Sequence, residues 1–237
     1  MWKRKRVLRS KGYCHCCRSE TKFESDQEWL RDHYVCVKCF SLPRQRHVQY
    51  VLDNFVPGWE SLNVHESSPS VDLIARYCTS YSSSQYLPNT PLGALKDGTR
   101  CENLESLTFD DNVFDVFVTQ DVLEHVFRPD LATKEIMRVL KPGGLHVFTA
   151  PKHRNIPLSY PRAVMQNGAV HHLHDCQYHG SPVGDGKALV TWDYGSDFEY
   201  LLGRWTSCPT TTYLTRDRNL GLDGEYLDVF VTRKLTP

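Results

Sequence analysis

Five of the nine cysteines lie close together near the start of the chain, between Cys14 and Cys39. Pairing Cys14 with Cys17 and Cys36 with Cys39 gives two CxxC turns separated by 18 residues. Each turn can hold one ion with two thiolates, so the two turns together complete a tetrahedral zinc site. A site with four protein ligands leaves no position for a substrate, so its expected role is structural. The spacing therefore predicts a small zinc-ribbon-like module that depends on its metal for folding.

The ligand set of this module stays open in one respect. His15 and Cys16 lie inside the first turn and are further potential ligands, so the register of the site is not fixed by spacing alone. Reduced thiols on a loop are the alternative to a metal site.

Further along, Arg44 and Arg46 either bind an anion or form a solvated face at a helix start.

The composition is that of a globular protein with balanced charge. The 237 residues are 40% hydrophobic and 24% charged, and 28 Lys and Arg balance 28 Asp and Glu. This balance excludes a polyelectrolyte tail protein and gives no support to a whole-chain nucleic-acid binder, although residues 1–50 hold twelve Lys and Arg against five Asp and Glu. No apolar run reaches bilayer length and the basic start lacks a secretory signal, so we expect a cytoplasmic protein with no membrane partner.

Strand and helix patterns alternate through the middle of the chain. The predicted strands are 61–66, 81–88, 113–119 and 145–151, of which the last two are mostly apolar. The predicted helices are 47–56, 67–78 and 131–140, the second of them capped by Ser67 or Ser68. This alternation predicts βαβ units and an α/β fold with a doubly wound, mostly parallel sheet.

The stretch 104–151, which contains FDVFVTQDVLEHV and RVLKPGG, resembles class I S-adenosylmethionine-dependent methyltransferases. The whole chain is similar to bacterial members in which a cysteine-pair module precedes the domain and an ESSPS-like segment replaces the glycine-rich first loop. The resemblance implies a seven-stranded Rossmann-like sheet closed by antiparallel strands at 210–215 and 224–234. It also implies two domains: a basic segment with the zinc module at 1–46, and a methyltransferase domain at 47–237 with a substrate-side insertion near 152–188.

The same resemblance implies S-adenosylmethionine as cofactor, bound at the carboxyl ends of the strands. Glu66 would meet its amino group, Ser84 or Gln85 its ribose, and Asn103 its adenine amine. The residues implied in cofactor binding are, in chain order, Glu66, Ser67, Ser68, Ser84, Gln85, Asn103, Leu104, Thr119, Gln120 and Asp121.

Methyl transfer is an in-line displacement at a sulfonium carbon, so the enzyme mainly aligns the acceptor, the methyl group and the leaving sulfur. A hydroxyl acceptor benefits from a base, for which His179 and His125 are the candidates and Asp121 is a further option. Tyr178 and His179 lie in the insertion and are predicted substrate contacts, whereas Glu124 is interpreted as a structural anchor of its turn. Residues 171–179 hold four histidines, so a second metal site is the alternative to acceptor contacts there.

The predicted function is therefore an S-adenosylmethionine-dependent methyltransferase that acts on a small molecule or a sugar hydroxyl. One alternative is a catalytically inactive, methyltransferase-like binding or scaffold protein, since the usual glycines are missing. Another is an RNA or protein methyltransferase that docks its substrate with the zinc module, although nucleic acid is not the expected partner. The sequence does not predict the oligomeric state.

Overall fold

A computed structural model of the chain describes residues 7–180 and 186–236. The basic start at residues 1–6 and residues 181–185 of the predicted insertion lie outside the described residues. The N-terminal part forms a small antiparallel sheet with strand order β1-β2-β3, followed by a longer helix. Its elements are β1 (Leu8–Cys14), β2 (Ser19–Ser25), α1 (Leu30–His33), β3 (Val35–Cys36) and α2 (Pro43–Phe55).

The second part of the chain forms the main sheet. Its first elements are β4 (Asn63–Ser67), β5 (Ser80–Gln85), β6 (Leu95–Lys96), β7 (Thr99–Cys101), β8 (Phe114–Gln120), α3 (Pro129–Val139) and β9 (Leu140–Thr149). Six short strands follow, in three antiparallel pairs: β10 (Tyr160–Pro161), β11 (Ala163–Gln166), β12 (Ala169–His172), β13 (Tyr178–Gly180), β14 (Lys187–Leu189) and β15 (Trp192–Asp193). The chain closes with α4 (Phe198–Thr206), β16 (Thr210–Tyr213) and β17 (Val229–Arg233).

The main sheet has the strand order β16-β17-β9-β8-β4-β5-β7-β6. Strands β7, β5, β4, β8 and β9 are parallel, whereas β17 and β16 close the sheet as an antiparallel pair. The predicted α/β fold with a mostly parallel Rossmann-like sheet is confirmed. The sheet has eight strands because the short β6 pairs with β7 as an edge hairpin.

Alternating side chains of the strands build a core on each face of the sheet. On one face, Val64 and Val147 pack with α2, and on the other, Phe117 and Phe148 pack with α3 and α4. The domain boundary predicted between residues 46 and 47 lies inside helix α2. The helix therefore follows the cysteine module directly and covers the main sheet.

The predicted helix at 67–78 is absent. The backbone makes isolated turns there, such as the bonds from Leu73 N–H to Val71 and from Cys78 N–H to Ile74. Leu73 packs into the core of the cysteine module and Tyr77 donates a hydrogen bond to the carbonyl of Cys16. Contacts with the module therefore replace the helical hydrogen-bond ladder, and no helix begins at the predicted caps. No helix within the described residues has the length and apolarity needed to cross a membrane.

Candidate functional site

A cleft of about 1270 Å³ opens at the carboxyl ends of the parallel strands. One wall comes from the ends of β4, β5 and β8 and the loop after β7, and the opposite wall from the cysteine module and the insertion. Of the predicted cofactor residues, the cleft walls include Ser67, Ser68, Gln85, Asn103, Leu104, Gln120 and Asp121. Its volume exceeds the usual range for one drug-sized ligand, so it can hold a cofactor and an acceptor together.

The turn that follows β4 contains serines at the place of the usual glycine-rich loop. Ser68 adopts φ 57°, a left-handed conformation that favours glycine, and its N–H donates to the carbonyl of Ser84 at 2.7 Å. The chain thus makes the sharp turn without glycine. Ser67 and Ser68 border the cleft and leave it open.

Glu66 is buried behind the cleft wall and does not line it. Its carboxylate accepts hydrogen bonds from the hydroxyl of Tyr81 at 2.9 Å and the amide of Gln120 at 2.8 Å. Burial raises the pKa of Glu66 to about 7, although these two hydrogen bonds oppose the shift. The amide oxygen of Gln120 is buried and has no hydrogen-bond partner among the described residues. Gln120 therefore lines the cleft with one unpartnered acceptor atom, and its hydrogen bond to Glu66 fixes the orientation of its amide group.

Two other predicted cofactor residues point away from the cleft. The Ser84 hydroxyl bonds to Nε2 of His65 at 2.9 Å, and the Thr119 hydroxyl bonds to Nε2 of His146 at 3.0 Å. Both histidines are buried within the sheet, where burial lowers the pKa of His65 and of His146 to about 3. Ser84 and Thr119 therefore satisfy neutral imidazoles in the core. Gln85 is the member of the predicted ribose pair that lines the cleft.

The loop after β7 forms the far end of the cleft with a cluster of acidic and amide groups. Glu102 is buried and accepts hydrogen bonds from the backbone N–H of Thr108 and the guanidinium of Arg100. Asn103 accepts the N–H of Glu105 at 3.0 Å, which closes a tight turn. Leu104 is buried beside it and borders the cleft. The turn thus presents an apolar surface and polar groups at the place predicted for adenine.

Asp121 adopts φ 53° directly after β8 and forms the centre of an ion-pair cluster. The guanidinium of Arg31 bonds to its Oδ2 atom, Arg44 lies 2.9 Å from the same atom, and the Thr149 hydroxyl donates to Oδ1. Burial alone would raise the pKa of Asp121, but the charges of Arg31 and Arg44 hold it below its usual range. A carboxylate whose pKa is lowered in this way is a weaker base, which disfavours the predicted option of Asp121 as a general base.

The short turn after Asp121 brings three potential ligands together at the cleft. Glu124, His125 and His179 each offer one ligand atom, and these atoms lie within 4.8 Å of one another. Glu124 is 1% exposed, and neither of its carboxylate oxygens has a hydrogen-bond partner among the described residues. Burial raises the pKa of Glu124 well above its usual range, and the charge of Asp121 adds to this. The missing hydrogen bonds give no support to the predicted role of Glu124 as an anchor of its turn.

The two histidines of this cluster are predisposed to be neutral. Burial lowers the pKa of His125 and of His179, and the neighbouring imidazole lowers the latter further. Nδ1 of His125 lies 2.8 Å from the carbonyl of Leu189, so this nitrogen carries the proton and Nε2 has a free lone pair. That Nε2 lies 3.8 Å from Glu124, and Nδ1 of His179 lies 3.9 Å from the same carboxylate oxygen.

Tyr178 and the other three histidines predicted in the insertion lie outside this cluster. Tyr178 is half exposed and does not line the cleft. His171 and His172 lie on the exposed strand β12, and His174 packs against the ring of Tyr160. Among the described residues, His179 alone of the four histidines at 171–179 joins a cluster of potential metal ligands.

The four cysteines selected by their spacing converge in the N-terminal module. Cys14 and Cys39 have Sγ atoms 3.7 Å apart, and those of Cys17 and Cys36 are 3.9 Å apart. A tetrahedron with zinc–sulfur bonds of about 2.3 Å has edges of about 3.8 Å, so the four thiolates fit zinc. His15 instead pairs with Asp53 at 2.7 Å, which leaves it outside the cluster.

Neither arginine of the helix start is a solvated surface residue or a free anion site. Arg44 pairs with Asp32 and Asp121, and Arg46 is fully buried. The guanidinium of Arg46 donates to the carbonyls of Tyr34 and Gly221, so it ties the module to the C-terminal part of the chain. Sequence reasoning also missed Arg31 and Glu102, because no local pattern marks a pairing formed across the fold.

A family model of the methyltransferase domain matches residues 72–148. The chain is 45% identical over 56 residues to the mitochondrial 2-methoxy-6-polyprenyl-1,4-benzoquinol methylase of Gallus gallus. This match spans 24% of the chain and 18% of the chicken protein.

Two solved structures share the fold at low sequence identity. An S-adenosylmethionine-dependent methyltransferase of Mesorhizobium loti has a TM-score of 0.52 and 12% identity, over 79% of this chain and 98% of that one. The 1,6-didemethyltoxoflavin-N1-methyltransferase of Burkholderia thailandensis has a TM-score of 0.51 and 10% identity, over 81% and 78%. The latter structure contains S-adenosylhomocysteine. Residues 72–148 therefore match a methyltransferase domain, and the chain shares the fold of these two methyltransferases.

Proposed function

We propose that this protein transfers a methyl group from S-adenosylmethionine to a hydroxyl of a small molecule or a sugar. The observation that carries the proposal is the cleft at the carboxyl ends of the parallel strands, within a domain that matches the methyltransferase family. The cleft has one half built from strand ends and another half bordered by imidazoles, which corresponds to a cofactor side and an acceptor side.

The residues of the strand ends fit S-adenosylmethionine. The unpartnered amide oxygen of Gln120 is an acceptor for the cofactor's ammonium group, and Ser67 and Ser68 are donors for its carboxylate. Gln85 is positioned for the ribose, and Asn103 and Leu104 border the place of adenine. An open crevice at the serine turn also argues against the scaffold alternative, which would need no such space.

When bound, the cofactor supplies an electrophilic methyl group on a sulfonium. The residues of the chain then align the acceptor and take its proton, and neutral His179 and His125 are the bases within the cleft. A proton taken by either imidazole lies near the charged carboxylate of Asp121, which favours the protonated ring. Asp121 acts differently: paired with Arg31 and Arg44, it holds the cysteine module against the cleft.

We also propose that the four cysteines bind one structural zinc ion. The spacing of their sulfur atoms supports this, and the module has few other buried apolar residues, chiefly Phe23 and Tyr34. Because Arg31 and Arg44 come from this part of the chain, zinc would maintain one wall of the cleft. A location in the cytoplasm and the absence of a nucleic-acid partner remain predictions.

Calorimetric titration with S-adenosylhomocysteine tests the cofactor site. We expect saturable binding to one site, and Gln120→Leu should weaken it by about 5- to 150-fold, since a lost buried hydrogen bond costs about 1–3 kcal/mol. Gln166→Leu, on the exposed hairpin β11–β12, is the matched control and should bind like the wild type.

Absence of binding to the wild-type chain would refute the proposed activity and favour the scaffold alternative. If binding occurs, transfer of a tritiated methyl group should follow with an acceptor from a panel of phenols, free sugars and nucleotide-linked sugars. Label found on RNA or protein instead would replace the acceptor class and leave the cofactor site intact.

A further inference from the structure

The cluster of Glu124, His125 and His179 has the composition of a metal site and lies apart from the four cysteines. One carboxylate and two imidazoles form a donor set that binds first-row divalent metals with positions left open. All three residues line the cleft, so open positions would face the acceptor. The buried carboxylate oxygens of Glu124 have no partner among the described residues, which is costly unless a cation or a proton compensates them.

The distances in the cluster fit one shared ion better than hydrogen bonds. Glu124 Oε1 lies 3.8 Å from Nε2 of His125 and 3.9 Å from Nδ1 of His179, beyond hydrogen-bond reach in both cases. Both separations are below twice a metal–ligand bond of about 2.1 Å, so one ion can contact Glu124 together with either histidine. The three ligand atoms all lie within 4.8 Å of one another.

The surroundings also orient the ligands. The carbonyl of Leu189 accepts the Nδ1 proton of His125 at 2.8 Å and so directs the lone pair of Nε2 toward Glu124. Arg31 and Arg44 are the nearby cations, and both pair with Asp121. The carboxylate of Asp121, which is not one of the three ligands, thus partly neutralises the charges of Arg31 and Arg44.

We propose that Glu124, His125 and His179 bind a divalent transition-metal cation that in turn binds the acceptor hydroxyl. This role rests on the proposed methyl transfer and specifies how the acceptor is held. A hydroxyl bound to such a cation releases its proton to solvent more readily. The oxygen then attacks the methyl carbon, the carbon–sulfur bond breaks, and S-adenosylhomocysteine leaves as a neutral sulfide. In this arrangement the two histidines act as ligands and need not take the proton.

Titration of the full-length, zinc-loaded protein with Mn²⁺ tests the site, with free Mn²⁺ measured by electron paramagnetic resonance. Mn²⁺ is the appropriate probe because thiolates prefer Zn²⁺, so the cysteine module keeps its own metal. We expect one saturable Mn²⁺ per chain, and Glu124→Gln and His179→Ala should each raise the dissociation constant at least tenfold. His174→Ala, a histidine of the same insertion outside the cluster, should leave it unchanged.

Two outcomes would overturn the proposal: no saturable Mn²⁺ binding to the wild type, or equal affinity in the wild type and both ligand variants. His179 is partly exposed in the insertion, so its substitution keeps the test valid even if Glu124→Gln folds poorly. Titration of the same proteins with S-adenosylhomocysteine separates this proposal from the cofactor site. Mn²⁺ binding without cofactor binding would support the metal site and refute the methyltransferase, and the reverse result would refute the metal site alone.

Discussion

The cysteine cluster and the Glu124–His125–His179 cluster both gather metal-ligand side chains, but the fold builds them in opposite ways. The cysteines come from two tight turns of one small module and surround a closed site. The second cluster combines two adjacent residues of a turn after β8 with one residue of the insertion, and it faces the cleft. A closed site of local origin stabilises structure, whereas an open site assembled over long distances is available for chemistry.

The largest expected effect concerns the closed cluster. Cys36→Ser should abolish zinc binding and unfold the N-terminal module, because binding free energies of about 10–16 kcal/mol are folding free energy in such modules. We expect a loss on the order of 5 kcal/mol in the free energy of unfolding, measured by urea denaturation together with elemental analysis. Cys176→Ser, at an exposed cysteine, is the control. A folded, zinc-free variant would contradict the structural role.

A second prediction concerns Glu66, the buried carboxylate that accepts hydrogen bonds from Tyr81 and Gln120. The pKa of Glu66 rises from 4.5 to about 7 on folding, so its contribution to stability is fully present below pH 4.5 and is lost as the pH rises through 7. Between these limits the linkage is worth about 3 kcal/mol, which Glu66→Gln removes.

The measurement is the free energy of unfolding of wild type and Glu66→Gln at pH 5 and pH 8. The free energy of unfolding of the variant should increase relative to that of the wild type as the pH rises. Parallel pH profiles of the two proteins would show that Glu66 has an ordinary pKa and that its burial is well compensated.

The smallest effect concerns the open cluster itself. Without added Mn²⁺, Glu124→Gln should leave stability unchanged or raise it by about 1 kcal/mol, because it replaces a buried ionisable group that lacks hydrogen bonds with a neutral amide of the same size. Thermal unfolding against the wild type measures this. A clear destabilisation would mean that Glu124 anchors its turn, and it would make the two clusters alike in role.

Local sequence patterns predicted the features that depend on neighbouring residues. The apolar run at 113–119 is strand β8, and the amphipathic run at 131–140 is helix α3. The CxxC spacing also picked out the four cysteines that converge, although it left His15 and Cys16 open as further ligands. In each case the pattern itself carries the geometry.

Patterns failed where distant contacts decide the outcome. The segment 67–78 forms contacts with the module and not the predicted helix. The hydroxyls of Ser84 and Thr119 hydrogen-bond to buried histidines and do not face the cleft. The pairing of Arg31 with Asp121 and the isolation of Glu124 arise from the folded arrangement of the walls. Neither could be inferred from spacing along the chain.

The double ion pair on Asp121 constrains how molecules enter the cleft. To lift the cysteine module away, two guanidinium groups would have to leave one carboxylate at the same moment, in a place largely shielded from water. That wall is therefore the fixed side of the chamber. If the proposed acceptor enters this cleft, we expect it to pass the partly exposed edge near His179, on the side opposite the ion pairs of Asp121.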